Sequence, residues 1–178
     1  MPRLIKWGVL GLGKIAHKFV SDLQLVADCK LEAVASSNMA RAAAFAEQHG
    51  ATRFYGSYQD LFADDQVEII YIASLNQDHY AHTLAALKNK KAVLCEKPLA
   101  INQNQVLEMI RFAREHQSFL MEGLWTRLNP TFVLLQPWPA GSYTRSLRDP
   151  NPTSSLLPFK HNTDFRRGHL SDAGGRPM

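Results

Sequence analysis

Gly11-Leu12-Gly13-Lys14-Ile15-Ala16 stands between an apolar run, Leu4 to Leu10, and a stretch, Gly13 to Ala27, in which Ile15, Phe19, Leu23 and Val26 recur at helical spacing. The order is strand, glycine turn, helix. In a G-x-G-x-x-A pattern at that place, the first glycine permits a tight turn and the second lets backbone come close to a diphosphate. The alanine lets the helix lie close on the sheet. Amides at the helix N-terminus then face an anion with the helix dipole behind them. The candidates for this contact are Gly11, Gly13, Lys14 and Ile15. A glycine turn that holds no ligand is the plainer reading of the same residues.

Outward from this turn, Leu31 to Ala35 reads as a second strand and the alanine-rich Met39 to His49 as a helix ended by Gly50. Glu68 to Ala73, Ala92 to Cys95 and Phe119 to Glu122 read as further strands. Helices over Asp78 to Lys88 and Asn102 to His116 separate them, the second opened by its asparagine. Strands alternating with helices predict an α/β fold, a Rossmann-type doubly wound parallel sheet over residues 1–125. A connecting helix is expected to start in 126–135. Six of the nine prolines lie beyond Gln136, and no period of 2 or 3.6 is sustained there, so 136–178 reads as an irregular, disorder-prone C-terminal tail.

Chemistry concentrates where the strands end. After the second strand an NAD enzyme would carry an acidic residue for the ribose 2′-hydroxyl, but this chain has Ser36-Ser37-Asn38 and then Arg41. Hydroxyls and a guanidinium suit a 2′-phosphate, which favours NADP over NAD as cofactor; Arg41 also reads as an ordinary solvated helix residue. Ser74-Leu75-Asn76-Gln77-Asp78-His79 forms the loop after the strand ending at Ala73, so Ser74, Asn76 and His79 are candidate ribose or substrate contacts. Asn76 or Asp78 as a simple helix cap competes with that reading. Glu96-Lys97-Pro98 directly follows the strand Ala92 to Cys95, which aims a cation at a ligand above the sheet. Lys97 there can donate or relay the proton that accompanies hydride transfer, or be a surface charge.

The composition, 46% hydrophobic and 20% charged over 178 residues, is that of a globular chain able to bury a core. No apolar run approaches the roughly 20 residues that cross a bilayer. The N-terminus Met1-Pro2-Arg3-Leu4-Ile5-Lys6-Trp7 enters the first strand without a signal-type segment, which predicts no membrane partner and a cytoplasmic location. Cys29 and Cys95 are unpatterned, so two buried thiols in a reducing compartment are expected, with no metal site. A pI of 9.2 raises nucleic acid as a partner. Residues 1–135 nevertheless hold 14 Lys and Arg against 13 Asp and Glu, and the remaining excess sits in the proline-rich tail. No nucleic-acid partner is expected.

Four motifs in order, Gly11 to Ala16, Leu75-Asn76 to His79, Glu96-Lys97-Pro98 and Met121-Glu122-Gly123-Leu124-Trp125-Thr126-Arg127, resemble the Gfo/Idh/MocA family of oxidoreductases. Gly56-Ser57-Tyr58 and Val93-Leu94-Cys95 make the dimeric dihydrodiol dehydrogenase branch the nearest resemblance, which covers residues 4–135. The resemblance implies an NADP-dependent enzyme moving a hydride between nicotinamide and a hydroxyl carbon of a sugar, polyol or diol. It places Gly11, Gly13 and Ile15 at the pyrophosphate and Ser37 and Arg41 at the adenosine end. Asn76, His79 and Glu96 fall at the nicotinamide riboside, with Lys97 as the catalytic residue on the substrate oxygen. A commonly cis proline follows that lysine, and Trp125 and Arg127 line the nicotinamide and substrate pocket; Trp125 also reads as a core aromatic.

Relatives continue into a second, mostly antiparallel domain that covers the nicotinamide and commonly makes the oligomer interface, so a homo-oligomer is expected only with that domain present. The change of character near Gln136 predicts a shifted or truncated reading frame, with Gly141 to Leu147 as a stub of the next strand. A catalytically silent nucleotide-binding fragment or an NADP-sensing module is then the alternative to an enzyme.

Overall fold

In the computed structural model, which describes residues 3–130, the first half of the chain runs β1 (Ile5–Leu10), α1 (Lys14–Leu23), β2 (Cys29–Ala35), α2 (Met39–His49), β3 (Arg53–Tyr55) and α3 (Tyr58–Ala63). It continues through β4 (Ile69–Ile72), α4 (His79–Lys88), β5 (Ala92–Glu96), α5 (Gln103–Glu115) and β6 (Leu120–Gly123). All neighbouring strands pair in parallel in one six-stranded sheet, ordered β3-β2-β1-β4-β5-β6. This is the expected doubly wound sheet. Its order reverses between β1 and β4, and at such a reversal the loops diverge and open a crevice beyond the carboxyl ends of the strands.

Side-chain alternation along the strands divides the core in two. Val9, Val34 and Tyr71 face α1 and α2, where Ala16, Val20, Ala42 and Phe45 cover them. Leu10, Ala35, Ile70, Ile72, Val93 and Cys95 face the other way, against Leu61 of α3, Leu84 and Leu87 of α4 and Met109 of α5. Asn102 caps α5 as expected, accepting from the Gln105 amide at 3.0 Å. Gly50 ends α2 in the left-handed conformation, φ 69°.

Three local expectations are corrected. The first helix ends at Leu23, not Ala27, and buries Ala16, Val20 and Leu23, while Ile15 and Val26 are about half exposed. The sheet accepts a narrow stripe led by the small Ala16, and Phe19 lies at its margin, stacked on Tyr71 with ring centroids 3.8 Å apart. Helix α4 begins at His79 after a 3-10 turn over Asn76–Asp78, and neither Asn76 nor Asp78 caps it through a side chain.

Third, the segment between Gly50 and Glu68, to which the periodicity assigns nothing, contains β3 and α3. The strand is too short for a periodic signature, and charges hold it: Arg53 bonds Glu32 at 2.7 Å and Asp64 at 3.0 Å. Of the segment 126–135 in which a connecting helix is expected to start, the described part holds a 3-10 turn over Trp125–Leu128; residues 131–135, the stub from Gly141 to Leu147 and the tail 136–178 lie outside the described residues. Among the described residues no helix is long and apolar enough to cross a membrane.

Candidate functional site

The glycine turn between β1 and α1 assigns its two glycines different reasons. Gly11 has φ +81°, and a Cβ there would stand 2.4 Å from the Ala73 carbonyl carbon and oxygen and 2.5 Å from the Ser74 nitrogen, so the backbone of β4 excludes any side chain. Gly13 has φ −93°, and a Cβ there would meet nothing within 4 Å. The protein itself therefore does not require glycine at position 13; a bare backbone there leaves the approach to the helix open. Ala16 and His17 bond back to the Gly13 carbonyl, whereas the Lys14 and Ile15 amides precede the first intrahelical acceptor. No acidic side chain stands in this first turn, and Lys14 is exposed. The turn is shaped for an anion and a diphosphate fits it.

At the end of β2 the four residues divide. Ser36 is 3% exposed, bonds Tyr55 O through its amide and accepts from the Asn38 amide at 3.1 Å through Oγ. Its hydroxyl shapes the turn by accepting from this amide. Asn38 caps α2 by accepting from the Arg41 amide at 3.0 Å. Ser37 and Arg41 remain exposed, and the Arg41 guanidinium has no ion-pair partner among the described residues.

The loop after β4 brings its candidates to the same carboxyl edge but does not leave them all open. Asn76 is exposed. The Ser74 hydroxyl pairs with His82 Nδ1 at 2.9 Å, in a partly buried position. His79 is completely buried, with Nδ1 2.7 Å from Pro98 O and Nε2 3.1 Å from Ser74 O. Both ring nitrogens thus face protein oxygens, and the ring ties two loops together.

Lys97 stands exposed on the turn after β5, and the peptide bond to Pro98 is cis. That turn is held by neighbours. Glu96 Oε2 accepts from the Lys97 amide at 3.2 Å, and Glu122 Oε1, from β6, accepts from the Leu99 amide at 2.9 Å. The other Glu96 oxygen accepts from the Tyr71 hydroxyl at 2.5 Å. Burial, reinforced by the bond to Glu96 and its charge, holds the Tyr71 phenol far above its ordinary pKa, so it remains a donor. Burial also pushes the Cys95 thiol, one residue before Glu96, up to about 12. The Lys97 ammonium pairs with no carboxylate among the described residues. Trp125, 65% exposed, and Arg127 lie in a 3-10 turn over Trp125–Leu128 after β6, so the core reading of Trp125 is withdrawn.

A sequence model described as the oxidoreductase family with an NAD-binding Rossmann fold, that of Gfo/Idh/MocA, matches residues 5–124. The chain belongs to the Gfo/Idh/MocA family. A trans-1,2-dihydrobenzene-1,2-diol dehydrogenase of Sus scrofa is 39% identical over 176 residues, 96% of this chain and 52% of that protein. Among solved structures, an NAD binding oxidoreductase from Klebsiella pneumoniae superposes with a TM-score of 0.70 at 30% identity, covering 74% of this chain and 37% of that one. KijD10, a 3-ketoreductase from Actinomadura kijaniata in complex with NADP and TDP-benzene, gives 0.66 at 30% identity, covering 68% and 37%. The chain spans between 38% and 52% of the length of the curated relatives it matches.

Within this Gfo/Idh/MocA domain, reading the sequence missed Tyr71 and gave Glu122 no role beyond its place in a motif. Each acts on the Lys97 turn from a different strand. The available signal was a hydroxyl and a carboxylate interrupting apolar strands, but which partner each would find depends on register: Tyr71 pairs with Leu94, two residues before Glu96 on the same face.

Proposed function

We propose that this chain carries the cofactor-binding half of an NADP-dependent oxidoreductase that moves a hydride between nicotinamide and the hydroxyl-bearing carbon of a diol, sugar or polyol. The observation that carries the reading is Lys97: an exposed ammonium, without a carboxylate partner among the described residues, on a turn fixed by Glu96, His79 and Glu122, on the sheet edge that also carries the open glycine turn.

The α1 amides and Gly13 bind the diphosphate, with Gly11 and Ile15 shaping its cradle and Lys14 adding charge. Ser37 and Arg41 receive the adenosine end. The absence of a carboxylate from Ser36 to Arg41 supports a 2′-phosphate there, as does the NADP held by KijD10. Bound nicotinamide would supply the hydride chemistry. Asn76, Trp125 and Arg127 flank the substrate side, and Glu96, loaded by the Tyr71 hydroxyl, orients the turn at its root. Lys97 holds the substrate oxygen and moves its proton, which every interconversion of alcohol and carbonyl requires. The two free thiols, Cys29 and Cys95, suit a reducing compartment and support the cytoplasm as the place of action.

Fluorescence titration with NADPH and NADH tests the cofactor, with NADPH expected at least about tenfold tighter. Turnover of a trans-dihydrodiol or xylose, lost in Lys97→Ala with NADPH affinity kept within about threefold, is the expected result for the enzyme. No NADPH binding at millimolar levels overturns the proposal, and tight binding without turnover selects the silent fragment or the NADP-sensing module.

A further inference from the structure

His79 is the first residue of α4 and is completely buried, yet both of its ring nitrogens face main-chain oxygens of separate loops. Pro98 O, at 2.7 Å from Nδ1, belongs to the residue after Lys97; Ser74 O, at 3.1 Å from Nε2, opens the segment that carries Asn76. A carbonyl oxygen only accepts, so each contact asks the ring for an N–H: imidazole supplies one, imidazolium both. An apolar side chain would fill this space without the cost of burying a polar ring. The ring's polar atoms thus have work that packing does not explain. Glu96 and Glu122 restrain the Lys97 turn from β5 and β6, and among the described residues His79 is the side chain that restrains it from α4.

We infer that His79 is a positioning residue for Lys97: by donating to the Pro98 carbonyl it sets where the ammonium stands relative to the Asn76 loop, and it couples the two loops so that ligand ordering one steadies the other. The inference rests on the reading of Lys97 as the proton-handling group.

Amide hydrogen exchange on the 178-residue protein tests the tie without any ligand. His79→Leu fills the space and removes both donors; His79→Asn keeps an amide donor at the place of Nδ1, within reach of Pro98 O. Leu99 N–H exchange is expected to rise about tenfold or more in His79→Leu while Val9 and Ile70 keep their rates, and to return to within about threefold of the parent in His79→Asn. Should His79→Leu not fold, His79→Gln, whose amide stands near the place of Nε2 and faces Ser74 O instead of Pro98 O, takes its place.

Protection of Lys97 from acetic anhydride by NADPH, read by peptide mass spectrometry, is expected to drop about fivefold in His79→Leu and recover in His79→Asn, with NADPH affinity within about threefold throughout. An unchanged Leu99 rate, or a rise shared equally by the sheet amides, overturns the inference. A parent that fails to bind NADPH overturns the proposed function instead, and the exchange rates then decide the His79 tie by themselves.

Discussion

The glycine turn and the Lys97 turn lie on one edge of one sheet and are built in opposite ways. At Gly11 to Ala16 the proposed binding groups are backbone amides, and contiguous residues shape the turn. At Lys97 a single charged side chain is presented, and the residues that hold it come from β4, α4, β5 and β6. A site made of backbone needs particular small residues in a row, whereas a site made of one side chain needs a frame collected from across the fold. The two turns therefore respond differently to substitution.

Gly11→Ala tests the backbone half most severely. Its Cβ would meet the Ala73 carbonyl at 2.4 Å with φ at +81°, so a loss of about 3 kcal/mol or more is expected in urea or thermal unfolding. A variant as stable as the parent would break the comparison, because β4 would then not constrain the turn. Gly13→Val sharpens it: stability should change by less than about 1 kcal/mol, since open space surrounds that Cβ, while NADPH affinity falls at least about tenfold.

On the other side, Tyr71→Phe removes the donor to Glu96 and should cost about 1 kcal/mol. The sheet should stay intact and the turnover proposed for Lys97 should fall with little change in NADPH affinity; equal losses in both would deny the turn its separate frame.

The smallest effect expected is a pH dependence from His82, which pairs with Ser74. Burial lowers its pKa, with His79 adding to that and Asp78 opposing it. The unfolded chain then takes up the proton more readily than the folded one. Its stabilising contribution is complete above the ordinary histidine value of 6.5 and is lost as pH falls through and below it. Unfolding free energies at pH 7.5 and 5.5 should differ by under about 1 kcal/mol from this group, and His82→Gln should flatten the difference.

Much of this was legible from residues in sequence. The strand, glycine turn and helix at the start, the Asn102 cap and the alternation of elements all depend on neighbours within a few positions, and each appears in the fold. Arg53 to Tyr55 was not legible, because three residues carry no period and the strand's ladder to β2 and its Arg53 bonds to Glu32 and Asp64 are linked to it by no local pattern. The face of α1 was read from the larger side chains, but the sheet selects the row led by Ala16 because small side chains permit the closer approach. Ser36 and His79 stand out in the sequence as polar residues at strand ends, but the protein partners they bond are not legible there. Polar residues near a strand end can face a ligand or bond the loop beside them, and only the placement of Asn38, Ser74 and Pro98 decides which.

By itself the sequence determined the alternation of strand and helix, the open backbone turn and the presence of a lysine and a proline at a strand end, because these follow from periodicity and local sterics. Only the tertiary structure decided that Tyr71, His79, Glu96 and Glu122 converge on that lysine's turn, because hydrogen bonds between distant residues depend on strand register and helix placement, which short-range chemistry does not encode.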